Sequence, residues 1–260
     1  MINFSTSRHF SNSSIQNTWP LWSSALTAFI GAAALMVWYL PDALPLGHVS
    51  GIMVATADDI VHGFFYRPLF SQDAYGGTRY MPMFPLIHAL LMQVYPDPVL
   101  TGRVMMLASV LFLMSGFYAL LRGLDVRPGP AALFMLLPIA AINFMLIALE
   151  IKCDYLATGF SVWGLAAVIR SERKGKYLYL LLAATACTAA MATKLSNLNG
   201  LAASVVYLFV NGRKSSAARL GLYFLVITAL VLAVIQSASD GRALEAFQAC
   251  ADGGMTWDYA

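Results

Sequence analysis

The chain has 260 residues, of which 59% are hydrophobic types and only 11% are charged. Soluble globular domains carry about 25% charged residues, and here the apolar residues form long blocks without the alternating or amphipathic stripes of soluble folds. This composition argues against an ordinary soluble domain and favours an all-α integral membrane protein. The net charge of +3 points to no particular partner, and we expect no nucleic acid among the ligands. Three scattered cysteines without a CxxC pair argue against a zinc site or a disulfide framework.

The apolar blocks, taken in chain order, predict a polytopic region over residues 19–237. Residues 1–18 are polar and predict a short cytoplasmic tail. The run 19–40 has tryptophans at both ends, as interfacial belts do, and predicts an uncleaved first span. The further apolar blocks are 81–95, 100–121, 131–150, 155–170, 177–193, 198–211 and 218–237.

Block 81–95 decides the topology, because at ~1.5 Å per residue it reaches only ~22 Å of the ~30 Å hydrocarbon core. If it does not span, ten of the 16 Lys and Arg residues lie inside. If it spans, every later loop changes side and only five of the 16 lie inside. Cytoplasmic loops are enriched in Lys and Arg, so we predict seven transmembrane helices with a cytoplasmic N-terminus. The inner cations are then Arg8, Arg122, Arg127, Arg170, Arg173, Lys174, Lys176, Arg213, Lys214 and Arg219.

This topology makes residues 41–99 a long first outer loop. Residues 48–63 predict a helix near the membrane surface, the following segment is rich in Gly and Pro turn formers, and block 81–95 predicts a juxtamembrane or re-entrant helix. Residues 238–260 are predicted to be an outer-face tail, or the start of a further C-terminal part. Only two acids, Asp125 and Glu172, fall on the inner side.

Charged residues at the outer ends of helices are the candidates for chemistry. Ionisable groups at membrane depth are costly and usually functional. Carboxylates such as Asp58, Asp59 and Asp154 can act as a general base, and cations such as Lys152 and Lys194 can neutralise a phosphate leaving group. Simpler interpretations stay open for each of these residues. The lysines can extend from helix ends into solvent, Asp154 can be the N-cap of the next helix, and the two adjacent aspartates can be a solvated helix face.

Several short motifs lie in a recognisable order on the outer side. A surface helix ends in a pattern similar to L-x-x-G followed by Tyr, here residues 60–66 (IVHGFFY). A Tyr-x-Pro segment ending in Leu follows at 80–86 (YMPMFPL), and Arg103 stands at the start of the second span. A short outer loop carries an acid at 152–155 (KCDY), and a Thr-Lys pair closes an outer helix end at 193–194. In this order the motifs resemble the N-terminal half of GT-C superfamily glycosyltransferases, in particular those similar to lipid A aminoarabinose transferases and protein mannosyltransferases.

The resemblance covers about residues 19–215 and implies inverting sugar transfer from a polyprenyl-phosphate donor to an acceptor at the outer face of a bacterial inner membrane. It implies no cofactor, leaves a divalent metal open without assigning ligands, and makes membrane lipids and a lipid-linked sugar the partners. The family's catalytic base falls on His48 here, so the acid is sought among Asp42, Asp58 and Asp59, with Asp59 favoured. Asp154 matches the second acidic position. The residues expected to bind substrate are His48, Arg79, Tyr80, Arg103, Lys152 and Lys194.

Two other classes of function remain alternatives. A transporter or lipid-binding membrane protein would place ionisable residues near mid-membrane and often has internal repeats. The candidates here lie at helix ends, and no repeat is evident. A scaffold subunit, or an inactive truncated remnant of a transferase, is the third hypothesis, because family members usually have more spans than this chain.

Overall fold

In the computed structural model, residues 30–31, 34, 46–68, 78, 80–136 and 150–252 are described, with side chains to residue 249. This part of the chain is all-helical and contains no strand, as the composition predicts. Nine helices are described here: α1 (His48–Val61), α2 (Met83–Val94), α3 (Pro98–Gly123), α4 (Pro128–Leu136), α5 (Asp154–Lys174), α6 (Leu178–Thr193), α7 (Asn199–Val210), α8 (Lys214–Ala238) and α9 (Arg242–Asp252).

Local sequence signals explain where several of these helices begin and end. At the start of α3 the Asp97 carboxylate accepts hydrogen bonds from the backbone N–H groups of Val99 and Leu100, and a proline occupies the first turn. At the end of α5, Gly175 adopts the left-handed conformation with φ 62°, a conformation that suits glycine at a helix C-terminus. The helices α3 and α5 therefore extend a few residues beyond their apolar blocks.

Among the described residues, two helices, α3 and α8, are long and apolar enough to cross a membrane. They have 26 and 25 residues, which is about 38 Å each at 1.5 Å per residue. Only 22% of the most apolar stretch of α8 is buried, and its exposed side chains include Leu225 and Leu230. A core helix of a soluble protein would be mostly buried instead. The count of seven spans stays a prediction, because most of the blocks 19–40 and 131–150 lie outside the described residues.

The helix α5 is the centre of the bundle and packs against α3, α6 and α7, while α8 packs against α6 and α7. Small residues allow these close approaches. A Cβ atom on Gly200 of α7 would lie 2.6 Å from the Cβ of Ser161 on α5, and one on Gly159 would lie 2.7 Å from a ring carbon of Phe112 on α3. Small residues at helix contacts are typical of membrane bundles, where tight van der Waals packing replaces the hydrophobic effect.

Ion pairs link helix ends and loops at the two opposite ends of the bundle. At one end, here called the basic end, Asp125 pairs with Arg173 and Glu172 pairs with Arg213 at 2.7 Å. At the other end, here called the cleft end, Lys194 Nζ lies 2.5 Å from an oxygen of Asp154. Thus α3, α5 and α7 run from the cleft end to the basic end, and α6 and α8 return. Both acids predicted for the inner side are engaged by arginines at the basic end.

The helices of the predicted outer loop pack together at the cleft end. The surface helix predicted at 48–63 is α1, and block 81–95 forms α2, whose 12 residues span only about 18 Å. The buried His88 of α2 places its Nε2 2.8 Å from the carbonyl oxygen of Pro98, so α3 begins beside the middle of α2. The Ser50 hydroxyl of α1 accepts the backbone N–H of Ile151 at 3.1 Å. One helix was not predicted: α9 lies within the segment 238–260 that was expected to be a tail.

Candidate functional site

A cleft of about 330 Å³ lies at the cleft end, between α1, the loop that follows it and the start of α2. Its polar side chains are those of Asp59 and Thr56 from α1, Arg67 from the loop, and Thr78 and Tyr80 from the segment that precedes α2. The apolar part of the wall is formed by Ile52, Ala55, Ile60, Phe64, Phe65, Tyr66, Pro82 and Pro85. A carboxylate, a guanidinium and a phenol therefore face one concave surface.

The two charged residues that line this cleft, Asp59 and Arg67, form an ion pair with Nη2 and Oδ1 2.5 Å apart. The Arg67 guanidinium also lies over the ring of Phe64, 5.1 Å from its centroid. The hydrogen bond to Asp59 raises the pKa of Arg67 above its ordinary value. Asp59 is 23% exposed, whereas Asp58 is 52% exposed and faces His62 at 3.5 Å. The structure thus separates two adjacent acids: Asp59 lines the cleft and Asp58 faces outward.

The turn after α1 brings Arg67 back to Asp59. Gly63 adopts φ 86°, which L-residues rarely adopt, and the backbone N–H of Phe64 donates to the carbonyl of Asp59 at 2.8 Å. The chain therefore reverses direction directly after α1. This reversal explains why the motif at residues 60–66 (IVHGFFY) contains a glycine.

A second acid–cation pair, Asp154 with Lys194, stands at the same end of the bundle. Asp154 is the first residue of α5 and Lys194 directly follows α6, and both side chains are about 40% exposed. The interpretation of Asp154 as an N-cap is wrong, because Cys153 occupies that position and no side chain caps α5. The carboxylate of Asp154 instead raises the pKa of Lys194, and the Tyr80 phenol adds to this effect. Tyr80 lines the cleft, and a hydrogen bond joins α1 to the loop that precedes Asp154, so the two ion pairs lie at the same end of the bundle.

Three of the other residues predicted to bind substrate, namely His48, Arg103 and Lys152, do not line the cleft. His48 is exposed at the first turn of α1, and the 11 residues to Asp59 correspond to about 16 Å along the helix. Lys152 forms an ion pair with Glu150. Arg103 is buried in α3, one turn before Met106, whose sulfur lies 3.3 Å from the backbone N of Lys152. Arg79 and Asp42 lie outside the described residues.

Cys153, which precedes Asp154 in the chain, is not an activated nucleophile. Burial raises the pKa of the Cys153 thiol to about 11, and Asp154 adds to this shift. The thiol is therefore protonated at neutral pH and a poor nucleophile. Within the described ranges, no group of three His, Cys, Asp or Glu side chains is placed to hold a metal ion.

Arg67 is a cleft residue that was not among the residues predicted to form the site. Arg67 follows Asp59 by eight residues, across a turn with no helical period, so spacing alone does not pair them. The Gly63 reversal was the available signal. Glu150 stood beside Lys152 in the sequence, but only the folded loop shows that the two side chains pair.

Comparisons of the chain with protein-family models, curated proteins and solved structures find no match.

Proposed function

We propose that this chain is a polytopic membrane glycosyltransferase that moves a sugar from a polyprenyl-phosphate donor to an acceptor at the extracytoplasmic face. One observation carries the proposal: the polar cleft adjoins an apolar groove, and Pro82 lines both. A lipid-linked sugar has the same two parts, a polar phosphosugar and a long apolar chain.

The groove lies between α2, α6 and α8 and has a volume of about 510 Å³. Its surface is entirely apolar. The lining residues are Pro82, Met83, Leu86, Ile87, Leu90, Thr185, Thr188, Ala189, Ala192, Ile227, Leu230, Val231, Val234 and Ile235. Thr188 contributes no free hydroxyl, because its Oγ1 bonds that of Thr228 at 3.0 Å. An isoprenoid chain suits such a surface, since burial of each CH₂ group contributes about 0.8 kcal/mol.

The proposed reaction uses Asp59 as the general base. Its carboxylate takes the proton of an acceptor hydroxyl, and the oxygen attacks the anomeric carbon of the sugar. The new carbon–oxygen bond forms as the bond between that carbon and the phosphate oxygen breaks, which inverts the configuration. Polyprenyl phosphate leaves with the electron pair of the broken bond.

The cations at the cleft end supply the stabilisation that this leaving group needs. Arg67 lies in the cleft, and Asp154 holds Lys194 in an ion pair at the same end of the bundle. Cations fixed where negative charge develops lower the barrier more than mobile ones, since they need no reorganisation during the reaction. Lys152, Arg103 and Arg79 are proposed to contact the donor or the headgroups from the periphery, and His48 to lie near the acceptor.

The groove can be tested by filling it. In the variant Ala189→Trp, we expect KM to rise for a long-chain polyprenyl-phosphate sugar but not for a short-chain analogue with the same sugar, because only the long chain enters the groove. Leu222→Trp is the matched control, since Leu222 is 58% exposed on α8 outside the groove. Rates are measured with the purified full chain in proteoliposomes. An equal change for both donors would argue against the groove as the site of the chain.

The orientation follows from the positive-inside rule, and we propose that the basic end faces the cytoplasm of a bacterial cell together with the N-terminus. Two exposed leucines allow a matched test, because Leu124 at the basic end and Leu195 at the cleft end are both 49% exposed. In a full-length background without native cysteines, a membrane-impermeant maleimide added to intact cells should label Leu195→Cys and not Leu124→Cys. Labelling of Leu124→Cys alone would reverse the proposed orientation.

A further inference from the structure

Tyr66 stands between the cleft loop and the rest of the molecule in an unusual backbone conformation. Its φ is 59°, in the left-handed region that a bulky residue rarely adopts. Because Tyr66 immediately precedes Arg67, its backbone conformation sets the direction of the Arg67 side chain. Conformations of this kind persist only where surrounding contacts impose them, and they concentrate at functional sites.

The contacts on Tyr66 come from two distant parts of the chain. Its hydroxyl donates to the carbonyl oxygen of Tyr80 at 3.0 Å, across the cleft wall. Its own carbonyl oxygen accepts a hydrogen bond from Arg242 Nη1 of α9 at 3.2 Å. Its ring packs edge-on against that of Phe247, also from α9, at 6.2 Å between centroids. Thus α9 holds both the backbone and the ring of Tyr66.

The connection between α8 and α9 fixes the position of these contacts. The buried Ser239 hydroxyl accepts the backbone N–H of Ala243 at 3.1 Å. The Gln236 side chain donates to the carbonyl of Gly241 at 3.0 Å and accepts from the N–H of Leu244 at 3.2 Å. Because side chains at the end of α8 bond the first turn of α9, Arg242 and Phe247 are presented to Tyr66 by an ordered turn.

The Tyr66 hydroxyl is a poor candidate for proton transfer. The residue is 8% exposed, burial raises its pKa above the ordinary value for a phenol, and its proton is already donated to Tyr80. Tyr66 therefore has a structural role in the cleft wall, where it affects the geometry of the neighbouring residues.

We propose that α9 is a clamp, in which Arg242 and Phe247 hold Tyr66 in its left-handed conformation and so place Arg67 against Asp59. Tyr66, Arg242 and Phe247 are then positioning residues. The inference rests on the proposed function only for its effect on sugar transfer. The clamp itself is a statement about the cleft, which can be measured without substrate.

The test uses nitration of tyrosines in the full-length protein by tetranitromethane, followed by peptide mass spectrometry. In Arg242→Ala and Phe247→Ala, we expect the nitration rate of Tyr66 to rise severalfold, because the clamp no longer covers its ring. Arg242→Lys keeps one donor and should return the rate part of the way to wild type. The matched control is Leu244→Ala on α9, because Leu244 is 51% exposed.

Two further tyrosines separate a released clamp from a loosened fold. Tyr177 is 58% exposed and should react equally in every variant, while Tyr155 is 7% exposed and should stay protected. Unchanged nitration of Tyr66 in both clamp variants would overturn the proposal, and so would an equal rise at Tyr66 and Tyr155. A clamp shown by nitration in a protein that transfers no sugar would instead count against the proposed function alone.

Discussion

Replacement of Asp59 by Asn is expected to lower kcat for sugar transfer by about 100-fold to 10,000-fold, the range typical of a lost general base. The amide cannot accept the acceptor's proton, although it keeps the shape of the side chain. KM for the donor should change little, because the cations that face the phosphate remain. The measurement is steady-state transfer from a polyprenyl-phosphate sugar by the purified full-length protein in proteoliposomes.

The neighbouring acid provides the control for this experiment. Asp58 is on the same helix but is 52% exposed and faces His62, so Asp58→Asn should keep nearly wild-type kcat. The pair of variants also separates catalysis from stability, because Asp59→Asn removes the partner of Arg67 and its melting temperature has to be compared with that of wild type. Equal rates for both variants, in protein that is equally folded, would remove Asp59 from the mechanism.

Replacement of Lys194 by Ala is expected to raise KM for the donor about tenfold to a hundredfold. A hydrogen bond to a charged group contributes about 1.5–3 kcal/mol, which corresponds to that range of affinity. The effect includes the loss of a cation near the phosphate and the loss of the partner of Asp154, whose carboxylate then faces the donor uncompensated. Lys194→Arg keeps the charge and should recover most of the affinity.

Lys176 is the matched control for Lys194, because it precedes α6 at the basic end as Lys194 follows α6 at the cleft end. It is exposed, and Lys176→Ala should leave KM for the donor unchanged. If the two alanine variants raise KM equally, the lysines act through the overall charge of the protein, and the assignment of Lys194 to the donor phosphate is wrong.

Long apolar runs with clear boundaries were the part of the fold that could be predicted. The block 177–193 forms α6 and the block 198–211 forms α7, with bounds that agree within one residue. The charged or glycine-containing segments 174–176 and 212–214 interrupt the apolar runs at these places. The long helix α3 extends beyond its block because Asp97 caps it, a contribution that hydropathy alone does not include, whereas α8 begins before its block without a side-chain cap.

The helix α9 shows why other parts of the fold were missed. Its sequence mixes charged and apolar residues, so it has no apolar block and was taken as part of a tail. Its buried residues Ala243 and Ala246 and the half-buried Phe247 nevertheless repeat at helical spacing. An amphipathic period of this kind was the available signal, but it identifies a helix without showing which surface the helix covers.

At the candidate site, the types of residue could be predicted but most of their partners could not. Asp59, Asp154 and Lys194 stood out as charged groups at helix ends. The pairing of Asp154 with Lys194 joins residues 40 positions apart and depends on how α5 packs against α6. The pairing of Asp59 with Arg67 depends on two left-handed residues, of which Gly63 is readable in sequence and Tyr66 is not, because its conformation is imposed by contacts from α9.

Transfer of label from a polyprenyl-phosphate sugar is the most direct test of the proposed function. The purified full-length protein is placed in proteoliposomes with a donor labelled in the sugar, and a membrane extract supplies acceptors. We predict that the label moves from the lipid fraction to an acceptor while polyprenyl phosphate is released in equal amount, and that both products are lost in Asp59→Asn. Release that is absent with hexose and aminopentose donors alike, or that is the same in wild type and Asp59→Asn, would contradict the proposed function.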